Sequence, residues 1–167
     1  MQEVAIASVF PALAAMAGAG DLISFRIPNW LTAALALAFA VLAPAAGVSA
    51  PDLLAHAFAG CGVLAGGVIL FHKGLVGGGD AKFAAGCALW LGPGALYDFF
   101  IATTLAGGAL ALGLTLARGG WIAAAPSARP PRLFKQGEPA PYGAAIAAGA
   151  VIGYSSSPML QRFLLWT

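Results

Sequence analysis

The stretch Leu75-Val76-Gly77-Gly78-Gly79-Asp80-Ala81-Lys82-Phe83 sets one carboxylate behind three consecutive glycines and in front of an apolar run. Glycine leaves the backbone bare, so another segment can approach the acid closely. The apolar run from Ala81 to Leu91 stops at Gly92-Pro93-Gly94 and, at 1.5 Å per residue, covers about half the thickness of a hydrocarbon core. This predicts a short fourth helix that starts at the glycine loop, below the membrane surface. Irregular backbone is tolerated at that depth where it is buried in protein or lines a wet cavity. The alternative is a helix that continues past Gly92-Pro93-Gly94.

Outward from that stretch, the chain reads as an all-α membrane protein. Of its 167 residues 60% are hydrophobic and 8% charged, with a mean hydropathy of +0.89, too little polar surface to cover a water-soluble globule. The length suits a single domain, residues 1–167, folded as a six-helix transmembrane bundle. Span one runs from Val4 to Gly20, kinked near Pro11, and Met1-Gln2-Glu3 lacks the basic start of a signal peptide, so this span is expected to be retained. Asp21 to Arg26 reads as a polar turn, with Pro28 at an early helix position where its missing N–H is harmless. Span two covers 29–47 and span three 53–71, the latter with Gly62 and Gly66 at a spacing that permits close helix contact. Span five covers 95–117, and a Pro- and Arg-rich loop, 118–139, reads as extended or poorly ordered. Span six starts at Tyr142, with Gly149 and Gly153 four apart. The tail after Ser155 is apolar enough to lie along the interface.

With six spans the loops alternate sides, and Arg26, Lys73, Lys82, Arg118, Arg129, Arg132 and Lys135 fall together, with only Arg162 opposite. The excess of basic residues marks that side as cytoplasmic and places both termini outside. The bilayer is then the principal surroundings, and the net charge of +2 implies no nucleic-acid partner. Cys61 and Cys87 read as packing residues, His56 as packed or interfacial, and the 118–135 cations as a topology signal. Trp30, Trp90, Trp121 and Trp166 lie near span ends, where interfacial anchors sit.

Asp21 and Asp80 fall on the same side of this arrangement. Singly, Asp80 is an N-cap and Asp21 a solvated loop acid. Together they form a pair that cannot both ionise at low cost and titrates as a unit, one member drawing a proton from water while the other polarises a peptide carbonyl. Such chemistry needs no metal or cofactor. Gly77, Gly78, Gly79, Pro28, Asn29 and Lys82 shape the site, although Lys82, two residues from Asp80, points elsewhere on a helix and is not its ion-pair partner.

Asp21 with Arg26-Ile27-Pro28-Asn29, then Gly77-Gly78-Gly79-Asp80-Ala81-Lys82, then Pro141-Tyr142-Gly143 in that order resemble the prepilin leader peptidases, membrane aspartic peptidases with a Gly-x-Gly-Asp motif. The resemblance implies removal of a short basic leader from prepilins at the cytoplasmic face of the bacterial inner membrane, with Asp21 and Asp80 as the catalytic pair. The small size is similar to the minimal form that serves tight-adherence (Flp-type, type IVb) pili. Larger members carry a four-cysteine zinc motif and methylate the new N-terminus. The two cysteines here do not supply it, and the resemblance does not extend to methyltransferase activity. Preflagellin-type leader peptidases use similar chemistry. The competing classes are a small proton- or cation-coupled transporter, which predicts acids near the midplane in repeated halves, and a scaffold whose acids are only caps. Which prepilin is cut and the oligomeric state are not encoded in these motifs.

Overall fold

The computed structural model describes residues 6–124, 131–135 and 137–165, with the backbone alone over 121–124. Among the described residues every regular element is helical: α1 (Val9–Ser24), α2 (Asn29–Ala45), α3 (Ala50–His72), α4 (Gly78–Ala124), a 3₁₀ turn (Arg132–Phe134), α5 (Tyr142–Ser155) and α6 (Pro158–Leu164). Two stretches, Ala50–His72 and Gly78–Gly120, are long and apolar enough to cross a membrane, and α1, α2 and α5 are shorter apolar helices.

The ends of these helices are set by local chemistry. Helical residues 6–7 give way to a turn at Ser8 before α1 begins, so the helix breaks three residues ahead of Pro11, which has no N–H to return to the preceding turn. Pro28 is the extended residue before α2, not a position within it. The Ser49 hydroxyl accepts the Asp52 N–H, so α3 starts at Ala50, ahead of the expected position.

The 47 residues of α4 would extend about 70 Å as one rod. They do not, because Gly92 takes φ 67° and ψ 175° and divides the helix into a short first half, 78–91, and a longer second half from 93 onward. Leu89 is four residues before Pro93, which has no N–H to return to the Leu89 carbonyl. His56 Nδ1 takes that place at 2.8 Å from Leu89 O, and its ring fills the space beside Gly92, where a Cβ would lie 2.6 Å from His56 Cε1. The histidine is thus a packed residue that secures the break, stacked on Phe39. The second half extends past the expected end at Ala117, carrying Arg118 into the helix.

Small residues set the packing. Gly67 and Gly60 of α3 meet Ala81 and Leu89 of α4, Gly18 of α1 meets Ala147 of α5, and Gly149 and Gly153 back onto Thr103 and Phe99. The pair expected to make such a contact in α3, Gly62 and Gly66, does not. Nothing lies within 4 Å of a Cβ placed on either. Around the break lies an aromatic core. Trp90 stacks on Phe10 with centroids 5.3 Å apart, meets Phe39 and Phe163, and donates its indole N–H to Leu35 O at 2.8 Å. Trp90 is therefore fully buried and not an interfacial anchor, whereas Trp30 is exposed. The Trp121 side chain and Trp166 lie outside the described residues. Met159 and Phe163 of α6 are buried in the same core. Cys87 is buried and Cys61 exposed, and both are free.

Arg162 pairs with Asp52 at 3.4 Å, and Ser156 donates to Asp98 at 2.7 Å, at the end of the bundle where α3 begins and α5 ends. At the opposite end lie the connections after α1 and α3 and the start of α5.

Candidate active site

Asp21 lies inside α1, not in a turn beyond it. The buried positions of α1, Phe10, Ala14, Ala17, Gly18 and Asp21, recur at three- and four-residue spacing and face the bundle. The helix ends four residues later at Phe25, whose left-handed backbone (φ 55°) lets its N–H return to Asp21 O. Asp21 is 5% exposed, which rules out a solvated loop acid.

The Asp21 carboxylate meets the start of α5. The first amides of a helix lack intrahelical acceptors and carry the positive end of its dipole. The Gly143 N–H donates to Asp21 Oδ2 at 2.7 Å. A Cβ on Gly143 would lie 2.8 Å from both Asp21 Oδ2 and Ile27 Cδ1, so only glycine leaves this contact undisturbed.

Asp80 occupies the first turn of α4. It is not the N-cap. Gly77 holds that position, and the Asp80 carboxylate reaches back to accept the Gly77 N–H. A Cβ on Gly77 would lie 2.8 Å from Asp80 Oδ2. Gly78 and Gly79 already belong to the helix, so the irregular backbone is the segment before them. Ile27, buried, joins the two halves of the site. It packs against Gly143 on one side, and on the other its Cβ stands 3.7 Å from where a Cβ on Gly79 would lie. Asn29 Oδ1 accepts a hydrogen bond from Lys82 Nζ at 3.2 Å, tying the start of α2 to α4. Pro28 is exposed beside it. Lys82 is directed to Asn29 and not to Asp80.

The two acids thus lie at the same end of the bundle, on either side of Ile27, which packs against Gly143 beside Asp21 and faces Gly79 beside Asp80. Their settings differ. Asp80 borders a cleft of about 990 Å³ that runs between α3 and the second half of α4 and is also lined by Gly62, Gly66, Phe100 and Tyr142. Asp21 lies outside the lining, against α5.

The segment before α5 is held in place by a cation that sequence reading assigned only to topology. Arg118 donates from Nε to Leu133 O (3.1 Å), from Nη1 to Glu138 O (2.9 Å) and from Nη2 to Pro139 O (3.4 Å). The described part of the 118–139 region is therefore helix, 3₁₀ turn and a bonded strap. Arg132 adds a stacking contact over Phe25, 4.6 Å from the ring centroid, and both Arg132 and Lys135 pair with Glu138. Sequence reasoning quoted Gly143 only within a motif and Arg118 only as a topology charge, and gave neither a contact at the site. The signal for Gly143 was its place in the first turn of a helix directly after Pro141, where bare amides await an acceptor.

No curated protein and no solved structure matches the chain. A family model described as the type IV leader peptidase family matches residues 8–112, a span that includes Asp21, Asp80 and the 990 Å³ cleft's floor on α3 but ends before Gly143. With more than half of its length matched, the chain belongs to the type IV leader peptidase family.

Proposed function

We propose that the protein is an aspartic endopeptidase that removes the basic leader from a prepilin at the cytoplasmic face of the inner membrane, using Asp21 and Asp80 to activate water. Family membership supplies the peptidase and the prepilin-type substrate class. The observation that carries the finer reading is the convergence of two carboxylates, 59 positions apart by their numbers 80 and 21, at one end of a helical bundle. Each is anchored by a backbone N–H at a helix start, Gly143 for Asp21 and Gly77 for Asp80. A water between the two carboxyl groups loses a proton to the ionised member while the protonated member donates to the scissile carbonyl. The tetrahedral intermediate then breaks its C–N bond as the amine takes a proton back from the pair.

In this reading six segments cross the bilayer: α1, α2, α3, the two halves of α4, and α5. Arg26, Lys73, Lys82, Arg118, Arg132 and Lys135 stand at the acid end, which makes it cytoplasmic. The cleft takes the apolar helix of the prepilin, entering from the lipid side along Gly62 and Gly66, so that the peptide bond before that helix arrives at Asp80. A minimal, Flp-type pilin is the fitting substrate for a chain with no room for a further cytoplasmic module between α1 and α2, which are separated only by residues 25–28.

The test is cleavage of a membrane-inserted prepilin by purified protein in proteoliposomes. Asp21→Asn and Asp80→Asn, each still inserted and folded, are expected to lose at least about a thousandfold in rate, the scale of removing one member of an acid-base unit. Full cleavage by either variant removes that residue from the pair.

A further inference from the structure

Arg118 is a cation whose donors all go to backbone. It is half-buried on the second half of α4, and its guanidinium binds three carbonyls, those of Leu133, Glu138 and Pro139. No carboxylate is among these partners. A residue retained only as a positive charge for topology would not need a planar fork that reaches two separate parts of one strap.

The chain just beyond these carbonyls makes the hold consequential. Pro139 and Pro141 fix their own φ, and each bars the residue before it, Glu138 and Ala140, from helical backbone. Residues 138–141 are therefore a stiff, extended connector with little slack. Pro141, fully buried, is the N-cap of α5, and the amide two residues on is that of Gly143. A second clamp lies alongside: the Tyr142 ring fills the space at Gly107, where a Cβ would lie 2.8 Å from it, on the same half of α4 as Arg118. Fixing the carbonyls at 138 and 139 thus fixes where the Gly143 N–H points, and that N–H holds Asp21 Oδ2 at 2.7 Å.

We propose that Arg118 is a positioning residue for Asp21: by clamping the carbonyls of Leu133, Glu138 and Pro139 it sets a stiff proline connector that presents the Gly143 amide to the acid. The proposal rests on the reading of Asp21 as a member of the catalytic pair. It requires no contact between Arg118 and substrate, and it distinguishes Arg118 from Lys73 and Arg26, which share its end of the bundle.

The decisive variant is Arg118→Lys, which keeps the charge and so keeps any topology signal, but replaces a fork of donors with a single point. Two measurements are made on full-length protein in proteoliposomes: steady-state prepilin cleavage, and amide hydrogen exchange over 141–146. Arg118→Lys is expected to lower kcat about tenfold or more, the scale of one charge-assisted hydrogen bond, with KM moving less than about threefold. Exchange at Gly143 rises, while exchange in α1 to α3 stays at the wild-type rate. Pro139→Gly leaves the guanidinium in place and slackens the connector, and is expected to give the same local exchange signature and the same fall in kcat. It also serves where Arg118→Lys fails to fold, which would show as fast exchange along the whole chain. Wild-type kcat and wild-type Gly143 exchange in folded Arg118→Lys, or in Pro139→Gly, overturn the proposal. A wild-type protein that cleaves no prepilin sinks the peptidase reading instead, and the exchange at Gly143 still decides what Arg118 does.

Discussion

Replacing Gly143 by alanine separates the catalytic role of the site from its contribution to folding. Alanine in a helix is favoured over glycine by about 0.5–1 kcal/mol, which offsets part of the cost of crowding, about 1–3 kcal/mol. At this position the new methyl would stand 2.8 Å from Asp21 Oδ2 and from Ile27 Cδ1 and 2.9 Å from Asp21 Cβ, distances that force the carboxylate away from the Gly143 N–H. A hydrogen bond to a charged group contributes about 1.5–3 kcal/mol. If that orientation matters to the reaction, its loss lowers kcat by about 10- to 150-fold at 1.36 kcal/mol per decade. The assay is prepilin cleavage per folded molecule, with thermal melting of the same preparation. Gly108→Ala is the matched control, since a Cβ there meets nothing within 4 Å. Gly143→Ala that melts near wild type and cleaves within twofold of it would refute the view that the Gly143 amide orients Asp21.

The same geometry yields three further expected outcomes. Gly77→Ala is expected to lose far more activity than Gly78→Ala, because the first methyl would lie 2.8 Å from Asp80 Oδ2 and the second 3.4 Å from the exposed Phe71 ring; equal kcat values for the two would contradict this. His56→Ala leaves the Leu89 carbonyl without a donor beside Pro93 and should cost about 1–3 kcal/mol, read as a Tm lowered by several degrees, while the folded fraction keeps its cleavage rate. Gly66→Leu adds bulk where no atom lies within 4 Å of a Cβ, so stability should hold while KM for a prepilin rises; an unchanged KM would show that the substrate does not use the cleft.

Much of this architecture was legible in the residues. The all-helical class and the order of apolar segments came from hydropathy, and the break that ends the short helix after Asp80 came from Gly92-Pro93-Gly94. The position of Asp21 was less visible, because Gly20 reads as a helix end, whereas the left-handed terminal residue is Phe25, a side chain that seldom accepts φ 55°. The spacing Phe10, Ala14, Ala17, Asp21 held the answer, since an acid that continues a buried stripe belongs to the helix. Gly62 and Gly66 share the spacing of glycines that pack, yet Gly60 and Gly67 make the contact with α4; spacing identifies a smooth face but not which neighbour covers it. Trp90 was misplaced for a related reason. It falls near the end of an apolar run, but that run is only the first half of a broken helix whose end lies in the core.

The pairing proposed for the two acids also depends on what the nearby cations do. A carboxylate bound to arginine or lysine is held ionised and is a weak base. At this end of the bundle Arg118 is committed to three carbonyls, Lys82 to Asn29, and Arg132 and Lys135 to Glu138. Among the described residues none of the ion pairs includes Asp21 or Asp80. Each acid instead faces neutral amides at a helix start, Gly143 for Asp21 and Gly77 for Asp80. A neutral amide orients a carboxyl group without bringing a counter-charge to it. Under the proposed mechanism the two acids exchange one proton during turnover, which a pair tied to fixed cations could not do at comparable cost.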